Sequence, residues 1–448
     1  MTGWNYGEEQ CPLDDDRMPS LLIILDGLGD RGLNELNNHT PSEASHTPHL
    51  DEIVRRGTSG LHLPFGPGRA TSSEQSHWAI LGQSPDNFPG RSLIEYCGED
   101  KQPETGVLYL YGALRPSQLA ENGSRWITGR AKRGEDESDC LTLFRAISNW
   151  SDKNVTVSLS PRSRGETYIL ISGNVSSLIS DSDPLFEQIH PWMKPIAFDN
   201  SATSTAESLT TYLLWAHKKL STHPINHERI LKNLPPLDVL TTKWPGIAGP
   251  VRSFAEVVGI DGGIVSDTNL YRGFASMLHM RNIHFEPIPN HSEDMAIRLS
   301  AATKLFSEGI SFVLVHVKTV DEAGHTKTPF AKLEVLEALD PAFNVLLGPK
   351  FSKISIAITG DHASPSRDGV LHTGDPTPFV LISPTVRPDS VYRFGESFAV
   401  SGWVGRIQAS DILPILLNAS NRPAFSGTRT TSYRTIALPD IPEPMPNT

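Results

Sequence analysis

The sequence predicts an α/β protein: a mostly parallel central sheet with an inserted α+β domain. Three observations carry that prediction. Apolar runs of strand length alternate with helix-like stretches near both ends of the chain, and such alternation implies parallel strands covered on both faces. Between about 103 and 230 the texture changes to short strand-like runs separated by polar loops. The 448 residues also exceed what one hydrophobic core usually organises, so two domains are expected.

Taken in order, residues 1–17 read as a flexible acidic tail. Residues 21–25, Leu-Leu-Ile-Ile-Leu, read as a buried strand that ends in Asp26-Gly-Leu-Gly-Asp30. Thr47 is placed to cap a helix with Pro48 at its first position. Leu50, Ile53 and Val54 form its apolar stripe, and Gly57 closes it. A second helix is expected from Ser72–Ser73 to Gly82. In the middle, 107–111, 155–159 and 168–171 read as strands, and about 205–220 as a helix. Beyond 231, strands are expected at 312–317, 354–358 and 379–382, and helices at 295–308 and 412–417. The resulting division is a core of 18–102 plus 231–436, an inserted cap of 103–230, and a tail of 437–448.

Composition excludes several functions. A net charge of −12 repels phosphate backbones, which argues against nucleic acid as a partner. Cys11, Cys97 and Cys140 are far apart, with no paired spacing, so neither a disulfide framework nor a thiolate zinc site is indicated. The N-terminus carries no apolar leader, and no run is long enough to span a bilayer. A cytoplasmic location and no membrane partner are therefore expected. Homo-oligomer formation is left open.

Three strand-like runs end abruptly in acidic or imidazole residues. Asp26 follows the first, Asp321 and His325 follow the run through Val317, and Asp361 and His362 follow Ile-Ala-Ile-Thr-Gly. Any one Asp in such a place reads as a turn or cap residue. In an open parallel sheet, however, ligands bind at the carboxyl ends of strands, so all three segments converge on one edge. His372, on a short loop, can return to it. Carboxylates mixed with imidazoles suit Zn²⁺ or Mn²⁺, and six such groups suit two ions. His39, His62, His190 and His291 lack this context and read as surface or structural. Ser73 opens a helix, where backbone N–H groups favour an oxyanion or phosphate. By spacing alone, Ser72 or Ser73 reads first as only an N-cap.

The segments LLIILDGLGDR, SSEQSHWAILG, VKTVDEAGH, TGDHASP and HTGDPTP, in this order, give the chain a recognisable pattern. It resembles the archaeal-type cofactor-independent phosphoglycerate mutases of the alkaline phosphatase superfamily over about 20–435. The resemblance implies an alkaline-phosphatase-like core. It assigns one metal ion to Asp26, Ser73, Asp361 and His362, and a second to Asp321, His325 and His372. It also implies a phosphoserine at Ser73 and places Lys318 and Asp375 in the pocket. In the cap the pattern departs from the family. No Arg falls within 107–111, Glu166-Thr167 replaces a His-Arg pair, and Lys243 replaces an Arg. Arg130 and Arg133 keep a basic cluster there. Because Lys and Thr cannot copy the bidentate grip of Arg, the reading from sequence is a hydrolase. It would cleave a small phosphate or phosphonate ester, with two divalent ions (Mn²⁺ or Zn²⁺), through a covalent Ser73 intermediate. The alternatives are a genuine phosphoglycerate mutase and a catalytically degenerate binding protein. A sulfatase is disfavoured by the lack of a Cys-x-Pro-x-Arg segment.

Overall fold

The computed structural model describes residues 17–183, 189–367, 369–424 and 445. The acidic tail expected before residue 17 and most of the last two dozen positions lie outside them. The strand Ser20–Leu25 is buried along its whole length. A strand covered on both faces needs apolar side chains on both, which is why it reads as an unbroken run. It lies inside an eight-stranded sheet. Across that sheet the order is Arg281–His284, Gly262–Ser266, Phe312–Val317, Ser20–Leu25, Ser355–Thr359, Thr377–Ile382, Thr58–His62 and Gly405–Ile407. The first five run parallel. Thr377–Ile382 runs antiparallel to both neighbours, and the outermost strand is parallel to its partner.

Register places the chemistry. Leu25 pairs with Val317, and Ile24 pairs with Thr359, so the chain leaves three adjacent strands at nearly the same height. The apolar core around these strands includes Ile23, Val315 and Ile358, packed with Leu299, Leu336 and Phe343 from helices.

The helix Pro48–Arg56 starts where expected, but Thr47 makes no side-chain cap bond. Asp340 caps it from another helix: its carboxylate accepts from the backbone N–H of His49 at 3.1 Å and of Leu50 at 2.9 Å. Strands Thr58–His62, Gly262–Ser266 and Arg281–His284 were not legible. Each is short, and the first two contain Gly and Ser residues that weaken the apolar signal.

The chain divides into two compact units, residues 1–88 with 251–448, and residues 89–250. The expected boundaries at 103 and 230 fall inside the second unit. The strand Val239–Ile247 pairs antiparallel with Leu108–Arg115, which ties the far end of the insertion back to its beginning. Pairing between distant segments leaves no local pattern to read. Leu108–Arg115, Glu166–Gly173, Val155–Pro161 and Trp150–Ser151 complete a five-stranded sheet with Val239–Ile247. The helices Glu137–Ile147 and Thr203–Ser221 share its core through Phe144, Leu209 and Tyr212. Val239–Ile247 is interrupted by a bulge between Lys243 and Gly246. There Trp244 takes a left-handed φ of 56°, and its N–H is held by Asp181 at 2.8 Å. Cys97 and Cys140 are buried free thiols. No helix among the described residues is long and apolar enough to cross a membrane.

Candidate active site

Asp26 is the first residue beyond the Ser20–Leu25 strand, and its carboxylate is wholly buried. Its two oxygens face different partners. Oδ2 accepts from His316 Nε2 at 2.9 Å and Lys318 Nζ at 3.0 Å. Oδ1 lies 3.2 Å from His362 Nε2 and 3.3 Å from Ser73 Oγ. The turn after Asp26 is tight because Gly27 adopts φ +63°, and a Cβ there would stand 2.5 Å from Asp321 Oδ1. Gly27 N–H donates to Asp361 Oδ1 at 3.0 Å, which joins the first and third of the predicted strand ends.

Ser73 opens the helix Ser73–Ile80, and the preceding Ser72 makes no side-chain cap bond. The hydroxyl of Ser73 turns into the cluster instead of capping, with Oγ 2.9 Å from His362 Nε2. Asp321 and His325 share one short helix, with Nε2 3.1 Å from Asp321 Oδ2. His372 arrives on its loop. Its Nδ1 donates to the carbonyl of Thr71 at 2.9 Å, which leaves Nε2 bare, 3.9 Å from Asp321 Oδ1. Its ring stacks on His362 at 4.0 Å.

The charge balance of this corner is unusual. Asp26, Asp321 and Asp361 are buried, and Lys318 bridges the first two, 2.5 Å from Asp321 Oδ2. Burial opposes ionisation of Asp26, yet Lys318 and the neighbouring histidines hold it well below the usual carboxylate range. Burial and the Asp26 charge push Asp361 up to about 7. Burial lowers His362, but Asp361 and Asp26 outweigh it and raise it to about 9. Burial, and then His362, takes His372 down to about 3. Asp361 Oδ2 is buried and accepts no hydrogen bond.

Uncompensated carboxylates in a buried corner are costly unless a cation neutralises them. Two groups bring their ligand atoms within 4.8 Å of one another: Asp321 with His325 and His372, and Asp26 with Asp321 and His362. The hard-oxygen and imidazole donor set therefore fits divalent cations. Asp321 belongs to both groups.

The residues proposed for substrate divide between the units. Asp375 is half-buried and pairs with Arg31 at 2.5 Å. Lys243, in the second unit, is buried with Nζ 3.3 Å from Asp183 Oδ1. Burial lowers its pKa despite that carboxylate. Arg130 acts on Lys243 electrostatically, and Arg133 is exposed. Sequence reasoning missed the centre of this cluster. Asp183 is fully buried, with Arg115 Nη2 at 3.0 Å and His190 Nε2 at 3.4 Å. No Arg lies within 107–111, and the strand that spans most of those positions continues to Arg115. His190, read as surface or structural, is buried in this group. Lys332 was also missed. It is fully buried, and Nζ donates to the carbonyls of Gly27 at 2.9 Å and Ser364 at 2.6 Å, with Asp30 Oδ2 at 2.9 Å. It thus ties the loop after Asp26 to the loop after His362.

A family model described as the metalloenzyme superfamily matches residues 18–419. The 2,3-bisphosphoglycerate-independent phosphoglycerate mutase 2 of Methanocaldococcus jannaschii is 31% identical over 439 residues, covering 92% of this chain and 95% of that protein. The corresponding mutase of Picrophilus torridus is 28% identical, covering 90% and 98%. Among solved structures, the PH0037 protein from Pyrococcus horikoshii matches with a TM-score of 0.72 at 26% identity, over 92% of this chain and 100% of that one. The cofactor-independent phosphoglycerate mutase from Thermoplasma acidophilum matches with a TM-score of 0.58 at 26% identity, over 90% and 100%.

Proposed function

The chain belongs to the metalloenzyme superfamily, among the archaeal-type cofactor-independent phosphoglycerate mutases, and we propose that it interconverts 2- and 3-phosphoglycerate through phosphorylated Ser73. At the coarser level it is a metal-dependent phosphoryl-transfer enzyme. One observation carries the finer reading. In the second unit Arg115 and Lys243 lie at the buried carboxylate of Asp183, with His190 Nε2 beside it, a basic group whose chemistry suits an anionic ligand such as the carboxylate of a glycerate. The likeness to enzymes named as mutases also runs through both units, at 90% or more of the chain.

The residues divide the work as follows. Ser73 Oγ donates towards Asp26 Oδ1, which orients the hydroxyl towards the buried carboxylates. Ser73 attacks phosphorus, the ester bond to the glycerate oxygen breaks, and that oxygen takes up a proton. The second transfer reverses these events at the other glycerate hydroxyl and frees Ser73. The N-terminus of the Ser73 helix favours the incoming phosphoryl oxygens. Lys318, raised in pKa by Asp26 and Asp321 against the effect of burial, remains a fixed positive charge between them. Two divalent ions, one held by Asp26, Ser73, Asp361 and His362 and one by Asp321, His325 and His372, would supply Lewis-acid stabilisation of phosphoryl charge and of the Ser73 alkoxide.

Hydrolysis of a small phosphate or phosphonate ester is the second reading. It is favoured by Lys243 and Glu166 in positions where the family resemblance leads one to expect Arg and His. Arg115 removes part of that ground. An enolase-coupled assay with 3-phosphoglycerate and Mn²⁺ separates the two. Turnover near an ordinary enzymatic rate of about 10 s⁻¹, abolished in Ser73→Ala, supports the mutase. Release of inorganic phosphate without 2-phosphoglycerate overturns it in favour of hydrolysis.

A further inference from the structure

Behind the Ser73 side of the cluster lies a group of three rings that the phosphoryl-transfer scheme leaves unused. His77, Tyr271 and His316 are all buried, none more than 1% exposed. His316 lies on the strand Phe312–Val317, two residues before Lys318. Its Nε2 is 2.9 Å from Asp26 Oδ2. An ionised carboxylate only accepts, so Nε2 carries the proton and donates. His77 stands one helical turn beyond Ser73. Its Nδ1 donates to the Ser73 carbonyl at 2.8 Å and lies 3.4 Å from Asp361 Oδ2.

Tyr271, from the helix Asn269–Met277, joins the two histidines. It stacks on His316 with ring centres 3.6 Å apart and planes at 27°. It meets His77 edge-on at 4.7 Å, with its hydroxyl 3.3 Å from His77 Nδ1. His77 and His316 also touch edge to face at 5.4 Å. The backbone of His316 is tied down as well, because its carbonyl accepts from Arg298 at 2.8 Å. Neither imidazole can turn without displacing the other two rings.

We propose that His316, locked by Tyr271 and His77, is a positioning residue for the Ser73-side metal site. Its Nε2–H holds Asp26 by Oδ2, so that Oδ1 stays turned to Ser73 and His362. The inference rests on the reading that Asp26, Ser73, Asp361 and His362 hold one divalent ion. Lys318 also reaches Asp26 Oδ2, but it is a point charge on a flexible stem, shared with Asp321. It supplies charge without fixing the plane of the carboxylate. The imidazole, fixed by stacking on one side and by the strand on the other, supplies direction. Hydrogen-bond partners of metal-ligating groups act in this way, and their loss weakens metal affinity tenfold to a hundredfold.

The test compares two amides. The side-chain nitrogen of His316→Gln falls near the position of Nε2, whereas that of His316→Asn falls near Nδ1 and leaves Asp26 without its donor. Full-length protein stripped by a chelator is titrated with Mn²⁺, and free Mn²⁺ is read by electron paramagnetic resonance. The parent is expected to bind two ions and Asp26→Ala to lose one. For that ion, His316→Gln should stay within about threefold of the parent, and His316→Asn should weaken by roughly 10- to 100-fold. The metal-free forms of the two variants should melt at the same temperature. If Asp26→Ala loses an ion but the Asn and Gln variants bind alike, the metal assignment stands and the positioning role falls. If Asp26→Ala binds both ions like the parent, the metal assignment fails and the positioning role fails with it. Should the His316 variants not fold, Tyr271→Leu and Tyr271→Phe make the same comparison. The Leu variant is expected to weaken that ion at least tenfold and the Phe variant to retain it, and equal binding by the two overturns the proposal.

Discussion

Ser73 shows how much one side chain can depend on where its helix begins. A serine at such a position ordinarily bonds its own helix. Here the hydroxyl sits 2.9 Å from His362, because the helix start is presented to the edge of the sheet. Ser73→Ala should therefore lose turnover in the coupled assay while still binding two divalent ions through the remaining ligands, the Ser73-side ion more weakly than in the parent, as checked by Mn²⁺ titration. Glu396 belongs to a second buried polar group, remote in sequence from the strand ends. Its Oε2 accepts from Thr40 at 2.6 Å and from Ser42, and Oε1 has no hydrogen-bond partner. Burial pushes its pKa from 4.5 to about 7. A carboxyl group raised on folding contributes stability in full below its unfolded pKa, and that contribution is lost as pH rises through the folded value. The parent should thus lose stability relative to Glu396→Gln between about pH 4.5 and pH 7, by up to the order of 3 kcal/mol. The difference between the melting temperatures of the two proteins should change between about pH 4.5 and pH 7 and level off above that, and a difference independent of pH would contradict the assignment.

At the scale of elements, the capping of the helix Pro48–Arg56 separates what sequence suggests from what the fold does. Thr47 has the right residue type and a proline after it, yet its hydroxyl is buried without a partner. Asp340 takes over the cap with both carboxylate oxygens, and its Oδ2 also lies 2.8 Å from His49 Nδ1. Asp340→Ala should cost roughly 1–3 kcal/mol, from the lost cap and the unsatisfied amides it leaves. Thr47→Val, which removes only an unpaired hydroxyl, should change stability by less than about 0.5 kcal/mol. Chemical denaturation of the two variants checks both numbers. The helix itself was legible from Pro48 and its apolar stripe. The donor of its cap was not, because Asp340 lies nearly three hundred residues away in sequence and no local rule connects the two.

At the scale of the molecule, two separate cores imply two responses to metal. The ligand candidates all lie in the unit made of residues 1–88 and 251–448. Its buried carboxylates repel one another when no ion is bound, whereas residues 89–250 carry an independent core. Calorimetry in the presence of a chelator should show two transitions. Mn²⁺ or Zn²⁺ should raise the one belonging to the metal-binding unit, by about 2.7 kcal/mol at a free-ion concentration a hundredfold above Kd. The other transition should stay in place. The same chelator should abolish phosphoryl transfer, and either ion should restore it.

The sequence by itself determined the α/β class and the strands that deliver Asp26, Asp321 and Asp361. It also determined the donor types, because apolar runs that stop at acidic and imidazole residues are a local signal. The tertiary structure decided which atoms meet. Parallel register sets Leu25 beside Val317 and Ile24 beside Thr359, and so brings side chains some three hundred residues apart within bonding distance. It also decided the roles of His316, Lys332 and Asp183. A buried histidine, lysine or aspartate carries no mark in sequence of whether its partner is a carboxylate, a row of carbonyls or a cluster of cations. That partner is fixed only when distant segments pack and water is excluded from between them.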